Sequence, residues 1–291
     1  MNAAARLVLV LGMHRSGTSA LARGLRVLGV ALGNDLLPAH PCNPKGFFED
    51  AGLYAFNKAM LARLNLTWQS QESPDARTLR ALATGPVGVA ALDMLCAKSA
   101  DHAVLGLKDP RMSRLLPFWR PVLAASGLRA HCAVSLRHPE SVGLSLLQRD
   151  HLEPESGHRL WLTHMLDILE GSAGLPRLLT DYDLLLREPD RQLRRLGRFL
   201  RLPVNTAELD IFANDFLDQK LRHHPPPDSR GGEQQKAPWA ALAARLYTAL
   251  RPAADEADGQ RLDSPRLARL TANLRREAAA MAHTLPSGAR P

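Results

Sequence analysis

Long apolar runs are missing from this chain. No stretch approaches the roughly 20 residues of a membrane-spanning helix, and the early run Leu7 to Leu11 leads straight into His14 and Arg15. Neither a membrane anchor nor a signal peptide is expected. Cysteine is scarce as well: Cys42, Cys96 and Cys132 are odd in number and far apart, which excludes a disulfide framework and fits ordinary buried thiols in a reducing cytoplasm. The histidines form no HExxH or comparable cluster, so no metal site is expected. Aromatic residues make up 5% of the chain, too few for a platform on which single-stranded nucleic acid could stack.

What is present is a globular composition, 291 residues with 45% apolar, enough for one large or two small domains. The net charge of +8 calls for an anionic partner, and nucleic acid, an acidic membrane or a phosphorylated cofactor would each satisfy it. The basic residues are dispersed, as in "REPDRQLRRLGRFLRL" near 187–202, which reads as a solvated helix face rather than a specific nucleic-acid surface.

Short β-rich runs alternate with helical stretches, the pattern of an α/β fold around a mainly parallel sheet. Strands are expected at 6–11, 103–108, 129–136 and 176–181, and helices at 17–29, 50–64, 77–99, 112–125, 139–149, 158–171 and 189–201. From Leu221 the character changes: "LRHHPPPDSRGGEQQKAP" carries a proline triplet and a glycine pair, and two Ala/Arg-rich amphipathic helices follow at 238–255 and 264–283. The expected organisation is a domain over 1–222, a Pro/Gly-rich linker over 223–237 and a helical segment over 238–291.

The segment "LVLVLGMHRSGTSALARGL", 7–25, reads as strand, glycine-bounded turn and helix. Gly12, Gly17 and Ser19 match the triphosphate-binding loop G-x-x-x-x-G-K-[ST], but Thr18 stands where the lysine belongs. Such a turn aims backbone N–H groups and the positive end of a helix dipole at one spot, where an anion belongs. Arg15 supplies positive charge from inside the loop, and Thr18 and Ser19 supply hydroxyls. A capped turn with Ser16 or Thr18 at the helix N-cap is the plainer alternative. Without the lysine, and without a recognisable Mg²⁺ site, the loop suits activated sulfate better than a γ-phosphoryl group.

Here the sequence resembles a known family, the sulfotransferases that use 3′-phosphoadenosine 5′-phosphosulfate, above all their bacterial members. "GMHRSGTSAL" looks like the family's 5′-phosphosulfate loop, and "SLRHPESVGLSLLQRD" resembles its 3′-phosphate segment, with Arg137 ending a strand and Ser145 eight positions on. "NPKGFFED", "LKDPR" and "LLTDYDLLLREPDRQLRRLGRFL" are similar to segments of bacterial members, so the resemblance spans residues 6 to about 205. It implies a P-loop-like three-layer α/β fold with a helical C-terminal appendage. It also implies cofactor contacts from His14, Arg15, Ser16, Gly17, Thr18, Ser19, Arg137 and Ser145, with adenosine 3′,5′-bisphosphate as product.

Transfer of a sulfuryl group by in-line attack needs a base for the acceptor's proton and cations around the sulfur. Arg15 and Lys108, which ends the apolar run "AVLGLK", are the expected cations. Glu49 is the expected base, because related bacterial enzymes use an acidic residue after the first helix; Asp50 and Asp109 compete with it. Burial would raise the Glu49 pKa and the two cations would lower it, leaving a carboxylate at neutral pH. Animal cytosolic relatives carry a histidine base two residues after their lysine, where Pro110 stands here, so that base does not carry over. Asp109 and Arg111 are read as a loop-shaping pair, Tyr182 and Asp183 as packing and turn residues. Lys220 and Arg222 in "DQKLRHH" could reach the adenosine phosphates.

The sequence thus points to a metal-independent cytoplasmic enzyme that moves sulfuryl to a hydroxyl or amine, carbohydrate among the candidate acceptors. A nucleotide or phosphometabolite kinase-like P-loop enzyme and a non-catalytic nucleotide-binding module stay open. Acceptor identity and oligomeric state are not written in these residues.

Overall fold

The computed structural model describes residues 5–41, 43–217, 237–256 and 260–284. In β1 (Arg6–Leu11), Leu7, Leu9 and Leu11 enter one apolar core while Val8 and Val10 enter another, the two-residue period of a strand buried on both faces. β2 (Val104–Lys108), β3 (Arg129–Leu136) and β4 (Arg177–Asp181) divide the same way. Leu105, Leu107, Cys132, Val134, Leu136 and Leu179 face the first core, and Val104, Ala133 and Leu178 the second. All pairings are parallel, in the order β2-β1-β3-β4, with Leu9 opposite Leu107 on one side and Cys132 on the other. Each expected strand is present, β2 and β4 beginning one residue later than the sequence suggested.

Along the chain the helices are α1 (Thr18–Arg26), α2 (Ala51–Arg63), α3 (Ala76–Ala83), α4 (Pro86–Ser99), α5 (Leu116–Ser126) and α6 (Pro139–Asp150). They continue with α7 (Pro154–Gly171), α8 (Tyr182–Arg187), α9 (Pro189–Leu200), α10 (Thr206–Ile211), α11 (Pro238–Leu250) and α12 (Pro265–Thr284). α1, α8, α9 and α10 close the second core and the others the first, giving three α/β/α layers with the loop of residues 12–17 leaving the central strand. The expected P-loop-like α/β architecture is therefore present. Six of the described helices begin on proline, whose fixed φ and missing N–H suit a first helical turn, while Pro121 lies inside α5.

Several helix boundaries differ from expectation: α1 ends at Arg26 rather than 29, α7 begins at Pro154 rather than 158, α11 ends at Leu250 rather than 255, and two further differences have a clear cause. The helix expected over 77–99 is split into α3 and α4 because Pro86 cannot donate to the preceding turn and starts a new helix after Gly85. The helix expected from 112 begins as a 3₁₀ turn, Pro110–Arg114, capped by the Asp109 carboxylate, which accepts from the Arg111 N–H at 3.0 Å. α8 and α10 were not anticipated. Cys132 is buried and its thiol pushed up to about 12 by desolvation, whereas Cys96 is exposed on α4, contrary to the expectation of buried thiols; Cys42 lies outside the described residues.

α11 lays Leu242, Leu246 and Leu250 into the first core. Two buried arginines hold the chain around it. Arg177 donates to the carbonyls of Leu169 and Leu262 and pairs with Asp263, and Arg195 donates to the carbonyls of Leu179 and Ala253. Most of the expected linker, like Lys220 and Arg222, lies outside the described residues. No single described helix is long and apolar enough to cross a membrane.

Candidate functional site

The carboxyl ends of the four strands converge on one cavity of about 510 Å³, where open parallel sheets present their loops. Each strand delivers a side chain to its wall: Arg15 follows β1, Lys108 ends β2, Arg137 follows β3 and Tyr182 follows β4. A larger groove, about 2480 Å³, opens between α3, α5, α7 and α12, away from the strand ends. Its arginines Arg114 and Arg275 are already committed to Asp167. The smaller cavity holds the loop and the strand-end cations.

The loop is shaped by its own hydrogen bonds. Ser16 is buried; its Oγ donates to the Met13 carbonyl at 2.6 Å, and its carbonyl accepts from Ser135 Oγ at 2.6 Å. Gly17 is the N-cap of α1 in the left-handed region, φ 88°, so no side chain caps the first turn. This settles the plainer alternative against Ser16 and Thr18 as N-cap. A Cβ on Gly17 would stand 2.2 Å from the Tyr182 ring, so glycine is required for contact as well as for φ. Ser19 Oγ donates to the Phe47 carbonyl and accepts from Asn43 Nδ2, tying the loop to the "NPKGFFED" segment.

Arg15 also adopts a left-handed backbone, φ 67°, unfavourable for a side chain of this size. Its Nε donates to Ser145 Oγ at 2.9 Å, and its carbonyl accepts from Arg137 Nη1 at 3.0 Å, contacts that help hold it there. The Arg137 guanidinium lies 4.9 Å over the Tyr182 ring. Tyr182, read from sequence as a packing residue, therefore both packs on Gly17 and lines the cavity beneath Arg137. The signal was available, an aromatic directly after a strand's carboxyl end. Ser145 meets Arg15, whereas the sequence paired it with Arg137. Behind them, His138 caps α6, its Nδ1 accepting from the Glu140 N–H, and packs on Tyr247 of α11.

His14 lines the cavity but carries no charge to it. Its ring packs tilted against Trp68, centroids 4.3 Å apart, and burial, helped by nearby Arg111, holds its pKa well below the ordinary 6.5. The acidic side of the site is a small network. Lys108 Nζ donates to Glu49 Oε1 at 2.6 Å, and Arg111 Nη1 lies 3.5 Å from Glu49 Oε2 and 2.9 Å from Asp109 Oδ1. Asp109 is wholly buried; desolvation and the charge of Glu49 push its pKa up while Arg111 opposes them. Asp50 instead caps α2 through the Leu53 N–H and pairs with Lys98 at 2.8 Å. Of the three carboxylates named from sequence, Glu49 alone lines the cavity.

No protein-family model and no curated protein matches the chain. Among solved structures it is similar to the sulfotransferase domain from the Synechococcus PCC 7002 olefin synthase, at 18% identity and TM-score 0.47 over 98% of each chain. It is also similar to the sulfotransferase domain from the curacin biosynthetic pathway, at 17% identity and TM-score 0.45 over 97% of this chain and 99% of the other. At such identities and TM-scores these likenesses carry no weight for the chemistry of this chain.

Proposed function

We propose that the chain is a sulfotransferase moving a sulfuryl group from 3′-phosphoadenosine 5′-phosphosulfate to a hydroxyl or amine, carbohydrate hydroxyls included. The observation that carries this reading is the meeting, around one cavity, of a helix N-terminus without a side-chain cap, cations from three strand ends and a carboxylate bonded to one of them. The donor set suits the cofactor: a phosphosulfate takes N–H donors and cations, and a ribose 3′-phosphate takes a forked guanidinium. A kinase-like reading lacks its loop lysine, with Thr18 in that place.

When bound, the cofactor supplies the transferable sulfuryl group on its 5′-phosphate. The N–H groups of the first turn of α1 and the Arg15 guanidinium would hold that end, and Arg137, braced on Tyr182, the 3′-phosphate. Glu49 would take the proton from the attacking acceptor atom. Lys108 would balance charge on the bridging oxygen as it leaves sulfur, exchanging its bond to Glu49 for one to the phosphosulfate.

The experiment is a melting shift with adenosine 3′,5′-bisphosphate in the absence of metal. At a hundredfold excess over Kd, linkage adds about 2.7 kcal/mol, several degrees for a chain of this size. ATP with magnesium should shift the melt much less. No shift with millimolar bisphosphate overturns the reading.

A further inference from the structure

Behind the acidic side of the site lies a buried relay that starts in the apolar core. Trp119 of α5 is fully buried and its Nε1–H donates to Asn57 Oδ1 at 2.9 Å. An indole N–H only donates, so the carbonyl end of the Asn57 amide must face it. The amide's N–H₂ end must then face Asp109, and Asn57 Nδ2 donates to Asp109 Oδ2 at 2.9 Å. Asp109 Oδ1 meanwhile accepts from the Arg111 N–H and from Arg111 Nη1. A proton on Oδ2 would point at a donor, and one on Oδ1 would point at two. Asp109 is thereby held as an acceptor, although nothing of it reaches solvent.

We infer that Asn57 is a positioning residue of this site: locked by the Trp119 indole, it keeps Asp109 an acceptor and so keeps the Arg111 guanidinium shared between Asp109 and Glu49. Its catalytic consequence rests on Glu49 being the base proposed above; its geometry does not. Arg111, which lines the cavity, also lies over the Tyr54 ring at 4.5 Å, a contact that keeps its guanidinium between the two carboxylates. Should Asp109 take up a proton, Arg111 loses that partner and gives its charge wholly to Glu49, which weakens Glu49 as a proton acceptor. The charged groups facing this cluster are Lys108 at the end of β2, Glu49 ahead of α2 and Arg111 itself; His14 from the loop stands beside Arg111 and stays neutral.

The sign follows from burial. Because the folded Asp109 binds its proton more tightly than the unfolded chain, stability falls as pH rises through the window between the ordinary 3.8 and the raised folded value. The Asn57 hydrogen bond opposes that rise, so its loss moves the upper end of the window toward neutrality. Asn57→Leu should therefore show a melting deficit several degrees larger at pH 8 than near pH 5. Trp119→Phe, which leaves Asn57 in place but frees its amide to turn, should show a smaller deficit with the same pH dependence. If Asn57→Leu does not fold, Trp119→Phe carries the test. Deficits equal at both pH values mean packing alone and overturn the inference. In turnover, the ratio of Asn57→Leu to wild-type kcat should be roughly tenfold lower at pH 6 than at pH 8, with KM for the cofactor unchanged. A wild-type protein that transfers no sulfate overturns the sulfotransferase reading and leaves the melting comparison standing as its own test.

Discussion

Lys108 Nζ and Glu49 Oε1 stand 2.6 Å apart, and both side chains are almost wholly buried. The residue expected to meet the sulfuryl group and the residue expected to take the acceptor's proton are thus one ion pair. Buried charges are costly when one partner is removed, and a carboxylate bonded to an ammonium is a poor base until that ammonium finds another anion. On the proposed reading, a Lys108 that exchanged this bond for one to a bound phosphosulfate would leave Glu49 free to accept a proton, which would couple cofactor capture to base release.

Glu49→Gln keeps the shape and removes the proton acceptor. The expected result is a kcat lower by roughly 10²- to 10⁴-fold, the ordinary span of general-base catalysis. Affinity for adenosine 3′,5′-bisphosphate should not weaken, because Lys108 loses a competing partner. Calorimetric titration of the bisphosphate checks this, and weaker binding would show that Glu49 holds Lys108 in place for the cofactor instead.

On the proposed assignment the two arginines divide the work. A ribose phosphate is held alike in ground and transition states, so Arg137→Ala should raise the cofactor KM and spare kcat, while Arg15→Ala should lower kcat as well. Arg137→Lys should restore part of the affinity only, since an ammonium neither forks nor lies flat on Tyr182. Steady-state kinetics on one acceptor decide it; equal effects of the two alanine variants on binding alone would contradict the assignment of Arg15.

Gly17→Ala meets two obstacles, a left-handed φ of 88° and the Tyr182 ring at 2.2 Å. The expected cost is about 1–3 kcal/mol in urea unfolding. In the double variant with Tyr182→Ala the overlap is gone and the φ remains, so the two costs should sum to more than the measured double. Simple additivity would mean that the ring does not brace the loop.

His14 and His164 are both buried and held well below the ordinary histidine pKa of 6.5, burial being the first cause for each. Their folded pKa values are depressed, so the stability they contribute is complete above about 6.5 and is lost as pH falls below it. Each adds a slope of up to about 1.4 kcal/mol per pH unit. His164→Leu should flatten the fall between pH 6.5 and 5.5 in urea titrations, and an unchanged slope would show that the buried histidines do not set acid stability.

The strand positions were legible because each alternates between two buried faces in short apolar runs. The Gly85–Pro86 break was present in the letters, but a continuous helical pattern on both sides masked it. The loop from Gly12 to Ser19 and Arg137 were legible because local spacing and a strand end define them. Asp109 was legible beside Arg111, but its bond to Asn57 and the bond of Asn57 to Trp119 were not, since 52 and 62 residues separate the bonded pairs and only the packing of α2 against the 3₁₀ turn and α5 joins them. Tyr182 was legible as a residue and missed as a neighbour of Gly17, a contact across 165 positions that no local pattern encodes.

The most direct measurement is transfer of labelled sulfate from 3′-phosphoadenosine 5′-phosphosulfate across a pooled set of acceptors, carbohydrates, lipids and small alcohols, with a chelator present throughout. The account predicts labelled product in at least one pool, formed at the same rate with and without chelator and abolished in Arg15→Ala. A protein that binds the bisphosphate yet labels none of the pools, or that moves phosphate from ATP only when magnesium is added, would contradict it.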